Sequence, residues 1–386
     1  MAHHLLTLTP RQTRLCGLGG VLGLSLALGA CSEPTSTETA AAPETIETIT
    51  PRTETQDRLH ATTRSAFIFT LALCEDAVAA FRASSADLNT YLNEFTASPS
   101  ETALMESRTQ WRSTLQAWGT ALPCLALALP DASPNSHAIR LARTAAGPVL
   151  AGFIDSVPGY QESGLVHDEN VVLTLDSLQR QHQVTDDGET SLGLFTLEVL
   201  LFGVVPRRSV DFAVWPTTTE QPEARRSTLL RLLASDLAQQ GADWERYWQL
   251  NSAALVSDDI STRTAAEGLS LLLSSWRATL ADAATVANAQ AQSNPGIALN
   301  AEHDRVLLQG IQDALNQWWT ANPVVALVQY HDISEPSWLA GQTPQLSAEM
   351  STEHWRSAAA ELAVATAQLS ELMALLPTLQ STQNSL

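Results

Sequence analysis

The sequence predicts an all-α protein of two helical bundles that follow a lipoprotein signal and a disordered linker, and three observations carry that expectation. Apolar residues recur at helical spacing, first in Leu59, Ala66, Phe67, Leu71 and Val78, then in Ala103, Leu104, Trp111, Leu115 and Trp118. No alternating stretch of useful strand length appears. Prolines divide the periodic segments, at Pro123, Pro130, Pro134, Pro148 and Pro158 in the first half and at Pro206, Pro216 and Pro222 near the middle.

Residues 1–30 read as an export signal. Arg11 and Arg14 form a positive start, Leu15 to Leu28 an apolar core too short to span a bilayer as a helix. The stretch ends in Leu28-Gly29-Ala30-Cys31, the pattern in which a cysteine becomes the acylated first residue of a bacterial lipoprotein. Ser32 beside Cys31 resembles the sorting context for the outer membrane. Residues 31–56, rich in Thr, Glu, Ala and Pro, hold too little apolar surface to fold and read as a disordered tether. The first bundle is expected over 57–215 and includes an amphipathic helix from Asp168 to Gln183. The second is expected over 216–386, with helices near 223–256, 262–291, 301–320 and 349–376.

Charge and composition exclude several functions. The formal net charge is −20 and all 21 cations are arginine, so a basic nucleic-acid surface is excluded, and so is lysine-based Schiff-base or P-loop chemistry. Of four cysteines, Cys16 leaves with the leader and Cys31 takes lipid. Cys74 and Cys124 remain, and in an oxidising envelope compartment a disulfide between them is expected. It would be a staple, since no C-x-x-C occurs.

The most informative stretch is Ser191 to Gly203, SLGLFTLEVLLFG. As a helix it is apolar all round, hence buried. It carries a single carboxylate, Glu198, in its middle. An ionised carboxylate in a core costs several kcal/mol unless paired, hydrogen-bonded or metal-bound. Two readings stay open: a structural Glu satisfied by one of the many arginines, or a ligand or metal pocket of the kind that inward-facing Glu residues build in helical bundles.

Gly193 to Gly203, GLFTLEVLLFG, resembles the signature helix of the imelysin-like family, G-x-H-x-x-E followed by an apolar run and a small residue. Gly193, Glu198 and the tail ending in Gly203 match, whereas Phe195 occupies the histidine's place. Trp111 to Leu125 is similar to the family's early helix with paired aromatics, Trp111 and Trp118. Arg225 to Trp244 is similar to the helix that opens its second half. The resemblance spans roughly Leu59 to Leu376. It implies an all-helical fold, a place in the bacterial cell envelope, an iron-related or other divalent metal near Glu198, and partnership with envelope iron-uptake proteins besides the membrane itself. Peptidase activity is attributed to members that carry both the signature His and Glu. The Phe195 departure therefore points to a non-catalytic lipoprotein that binds a metal ion or small ligand near Glu198. A metallopeptidase and a partner-binding scaffold are the alternatives.

Other clusters are weaker. No H-x-x-E or H-E-x-x-H is present, and the single histidines read as surface or capping residues. His167-Asp168-Glu169 reads as a hard-cation cluster or a helix start, and Asp186-Asp187-Gly188-Glu189 as a turn. Trp318-Trp319, with Trp338 nearby, reads as core packing or an aromatic platform.

Overall fold

A computed structural model describes residues 54–127, 134–213, 221–256, 264–294, 296–334 and 350–376. Cys31, the linker's first residues and Trp338 lie outside the described residues. Those described hold eleven α-helices and one 3-10 turn, with no strand. The helices are α1 (Glu54–Ala97), α2 (Glu101–Leu125), α3 (Pro134–Ala145), α4 (Ala151–Ile154), α5 (Leu175–Gln181) and α6 (Leu194–Phe202). After the 3-10 turn Ser209–Phe212 come α7 (Pro222–Val256), α8 (Ala265–Ala291), α9 (Ala301–Trp319), α10 (Asn322–Tyr330) and α11 (Thr352–Leu375).

α1 is the axis. Its 44 residues span about 66 Å, and it packs along both α2 and α7. α2 lies along α9, and α11 covers α8. Helices from either side of residue 215 are therefore direct neighbours within the unit Ile49–Leu386.

The α2–α9 contact is close enough to be set by glycine. A Cβ added to Gly119 would lie 2.4 Å from the Leu307 carbonyl oxygen, and one on Gly310 would lie 2.2 Å from that of Gln116. The two helices run in the same direction, since Arg112, midway along α2, meets Glu302 at the start of α9 and Gln116 meets Asp313 further along both. That register carries the beginning of α9 to the level of Trp111 on α2. Cys74 on α1 and Cys124 on α2 are disulfide-bonded, with Cα atoms 5.5 Å apart.

Three local expectations differ from the structure. The helix expected over 168–183 is only Leu175–Gln181, capped by the Thr174 side chain. The preceding carbonyls go elsewhere: Arg225 donates to the carbonyls of Leu165, Val166, Asp168 and Val171. Pro123 does not break α2 but sits in its last turn. α10 falls where no helix was expected; Pro323 occupies its first turn, where a proline's missing N–H is harmless.

Candidate functional site

α6 is bracketed by glycines that only glycine can fill. Gly193 caps its start at φ +92°, and a Cβ there would lie 2.6 Å from the Thr144 carbonyl oxygen. Gly203 ends it at φ +66°. Leu194 to Leu201 are all buried, so the expected buried helix is present, one turn shorter than the apolar run. Phe195 is buried as well and lies beside Gly147, where an added Cβ would come within 3.2 Å of its ring.

Glu198 is fully buried, and its partner is not an arginine. Oε2 accepts the Leu299 backbone N–H at 3.0 Å, and Oε1 accepts that of Asn300 at 3.3 Å. His303 Nδ1 lies 2.5 Å from the same Oε1. Glu198 thus caps the start of α9 from another helix. The dipole there favours a negative charge.

The segment before α9 continues the pattern. Ile297 and Ala298 donate their N–H groups to Asp304 Oδ1 at 3.1 and 2.9 Å, and Gln290 donates to Oδ2 at 2.8 Å. Four consecutive amides, 297 to 300, therefore serve two carboxylates. Gly296 is required for this wrap, because a Cβ there would lie 1.8 Å from Asp304 Oδ2. Burial pushes the Asp304 carboxyl up to about 6; the Ala298, Gln290 and Ile297 hydrogen bonds oppose the rise and the Glu198 charge adds to it.

His303 was expected on the surface or as a cap. It is instead 1 % exposed, held between Trp111 (ring centroids 4.7 Å apart) and Phe202 (4.4 Å). Trp111 is itself fixed by an indole N–H bond to the Leu194 carbonyl at 2.9 Å. His303 Nε2 is buried with no hydrogen-bond partner. Nothing in the sequence around His303 signals this role, since its partner is 105 residues away.

A second buried ionic group lies at Asp155, which is fully buried. Arg226 grips it with two bonds of 2.6 and 3.0 Å, Arg207 approaches to 2.8 Å, and His167 Nε2 stands 3.3 Å away. Burial raises the carboxyl's pKa, but the Arg226 bond and the charges of Arg226 and Arg207 outweigh it and hold the group below its ordinary value. His167 thus faces an internal ion pair, while Asp168 caps its own turn by accepting the Asn170 N–H. Asp186 likewise closes a turn on Gly188. Trp318 and Trp319 are core residues, Trp318 bonded to Thr70.

A helical fold organised on a glycine-bracketed helix with one core carboxylate defines the class of protein. The imelysin family model, whose description is that of a peptidase family, matches residues 76–378. The chain belongs to the imelysin family. Among solved structures it is similar to an imelysin-like protein from Psychrobacter arcticum 273-4, at 16 % identity and a TM-score of 0.54, covering 80 % of this chain and 93 % of that one; this likeness concerns the fold. No curated protein sequence matches.

The residues at the signature helix do not fit a metal centre. Phe195 stands where the motif has His, and both Glu198 oxygens already accept N–H donors. Among the described residues no three His, Cys, Asp or Glu side chains come together in a way that would hold an ion.

Proposed function

We propose that this chain is a non-catalytic imelysin-family protein of the bacterial envelope, tethered through Cys31 to the outer membrane and binding a small ligand where α2, α6 and α9 meet. The observation that carries this reading is the Glu198–His303 pair. Its carboxylate is committed to the start of α9 and is not free to activate water, whereas the outer nitrogen of its imidazole is held in place without a partner. A metallopeptidase needs the reverse: a carboxylate and an open metal position facing solvent. A lipid anchor at Cys31 fits the rest, since about twenty residues separate it from the folded unit and would let that unit reach ligands away from the bilayer.

The test is peptide hydrolysis and metal uptake by the purified full-length protein, with radiolabelled palmitate incorporation compared between wild type and Cys31→Ala. Label that depends on Cys31, with no peptide turnover, supports the proposal. Metal-stimulated cleavage lost in Glu198→Gln would replace it with the peptidase reading.

A further inference from the structure

His303 is an oriented ring with one end unused. Nδ1 is fixed by Glu198, and Trp111 and Phe202 prevent the ring from turning, so Nε2 points one way only. A buried polar atom without a partner costs about 1–3 kcal/mol. Unpaired beside a fully satisfied carboxylate, Nε2 is available to a ligand.

Phe202, which flanks the His303 ring, carries two arginines on its own ring. Arg112 lies with its guanidinium 4.9 Å from the Phe202 ring centre, and Arg108, one turn earlier on α2, lies 5.3 Å from the same centre. Arg112 Nε is a second buried donor without a hydrogen bond; Glu302, half-exposed, is within 3.2 Å but not aligned to accept from it. Arg108 is committed differently. Its Nε and Nη2 hold the Leu201 carbonyl and its Nη2 also that of Arg207, so it forms a fixed wall. Burial and the Arg112 charge together depress Arg108, with Glu101 opposing. In a chain with a net charge of −20, two arginines stacked on one ring beside an unpaired imidazole nitrogen make a local exception. Phe202 is only partly buried, so this stack is where the junction meets solvent.

We propose that the junction of α2, α6 and α9 binds a small oxyanion, a carboxylate or phosphate group, through His303 Nε2 and Arg112 Nε. Nε2 then donates to the anion while Nδ1 stays on Glu198. Arg112 swings from Glu302 to the ligand, and Phe202 lies against its flank. Arg108 supplies field and not contact. This inference rests on the reading of the junction as a binding site.

The test is titration of the full-length protein with acetate and with inorganic phosphate, read by calorimetry and by the His303 imidazole resonances of protein labelled with nitrogen-15 at histidine. Arg112→Gln is the main variant because it lies at the edge of the core. Arg277→Gln, exposed on α8, controls for the loss of one charge. The expected result is saturable binding of one or both anions that shifts His303 Nε2 and weakens at least tenfold in Arg112→Gln, or about 1.4 kcal/mol, while Arg277→Gln behaves as wild type. A response to only one anion separates carboxylate from phosphate sources. An unmoved His303 resonance with both anions, or equal weakening in both variants, overturns the inference and leaves the non-catalytic reading standing. Peptide cleavage by the wild type would overturn that reading whatever the titration shows.

Discussion

Glu198 Oε1 and His303 Nδ1 meet at 2.5 Å across 105 residues of sequence, and with the amides of Leu299 and Asn300 they join α6 to the first turn of α9. Removing the carboxylate leaves two N–H groups and an imidazole nitrogen unpaired in the core. Glu198→Ala is therefore expected to lose about 3–5 kcal/mol of stability. Glu198→Gln keeps one acceptor oxygen but sets an amide N–H₂ against another donor, so its loss is smaller, about 1–3 kcal/mol. Urea denaturation checks both. Added formate should raise the midpoint of the Ala variant more than that of wild type, because a free carboxylate can occupy the same amides. Equal midpoints for wild type and Glu198→Ala would remove the capping role.

The sequence showed the burial of Glu198 because apolar residues surround it on every side of a helix, and it showed the ends of α6 through Gly193 and Gly203. It did not show the partner. Arginine was the expected counter-charge, yet the acceptor sites are filled by backbone amides, which have no sequence signature, and by a histidine whose own neighbours read as a helix start. The region 168–174 fails for a related reason. Its local pattern is amphipathic, but Arg225 on a distant helix takes its carbonyls. Periodicity reports which face of a segment is apolar; it does not report which long-range donors compete for the backbone.

Asp304 gives a pH dependence of definite sign. Its folded-state pKa, about 6, lies above the ordinary value of 3.8, so the folded protein holds this proton more tightly than the unfolded chain. Its contribution to stability is most favourable below about pH 4, falls between about pH 4 and 6, and is flat above. Asp304→Asn can keep the bonds from Ile297 and Ala298 and needs only a flip of the Gln290 amide. It is expected to be more stable than wild type at pH 7.5, by on the order of 1–3 kcal/mol, with the gap closing near pH 4.5. Thermal melts across that range decide it. A variant less stable than wild type at pH 7.5 would show that the ionised form is the one the four-amide segment favours.

Asp155 has the opposite sign. Its pKa is held below the ordinary value, so its contribution is fully present above about pH 4 and is lost as the pH falls through the folded-state value. Asp155→Ala leaves Arg207 and Arg226 buried without their counter-charge, which is expected to cost about 3–5 kcal/mol. Chemical denaturation at neutral pH measures that loss. In the Asp304→Asn background, where the opposing titration is gone, stability should stay level from neutral pH down to about pH 4 and then fall along the same acid limb as wild type. An acid midpoint of Asp304→Asn clearly above that of wild type would mean that the protonated Asp304 makes a contact that asparagine does not replace.

The Cys74–Cys124 bond ties the middle of α1 to the last turn of α2 across a separation of 50 residues. Both cysteines are buried, so replacing them with alanine removes the cross-link while leaving little space unfilled. Closing a loop of that length constrains the unfolded chain by about 4 kcal/mol in the chain-entropy account. The paired variant Cys74→Ala with Cys124→Ala is therefore expected to fold, with a Tm lower by roughly 6 °C. The deficit should reside mainly in the unfolded state, so reduction of the wild type with dithiothreitol under denaturing conditions, followed by refolding in reductant, should reproduce the variant's denaturant midpoint. If the oxidised wild type and the paired variant unfold at the same denaturant concentration, the bond contributes nothing that the packing of α1 on α2 does not already supply.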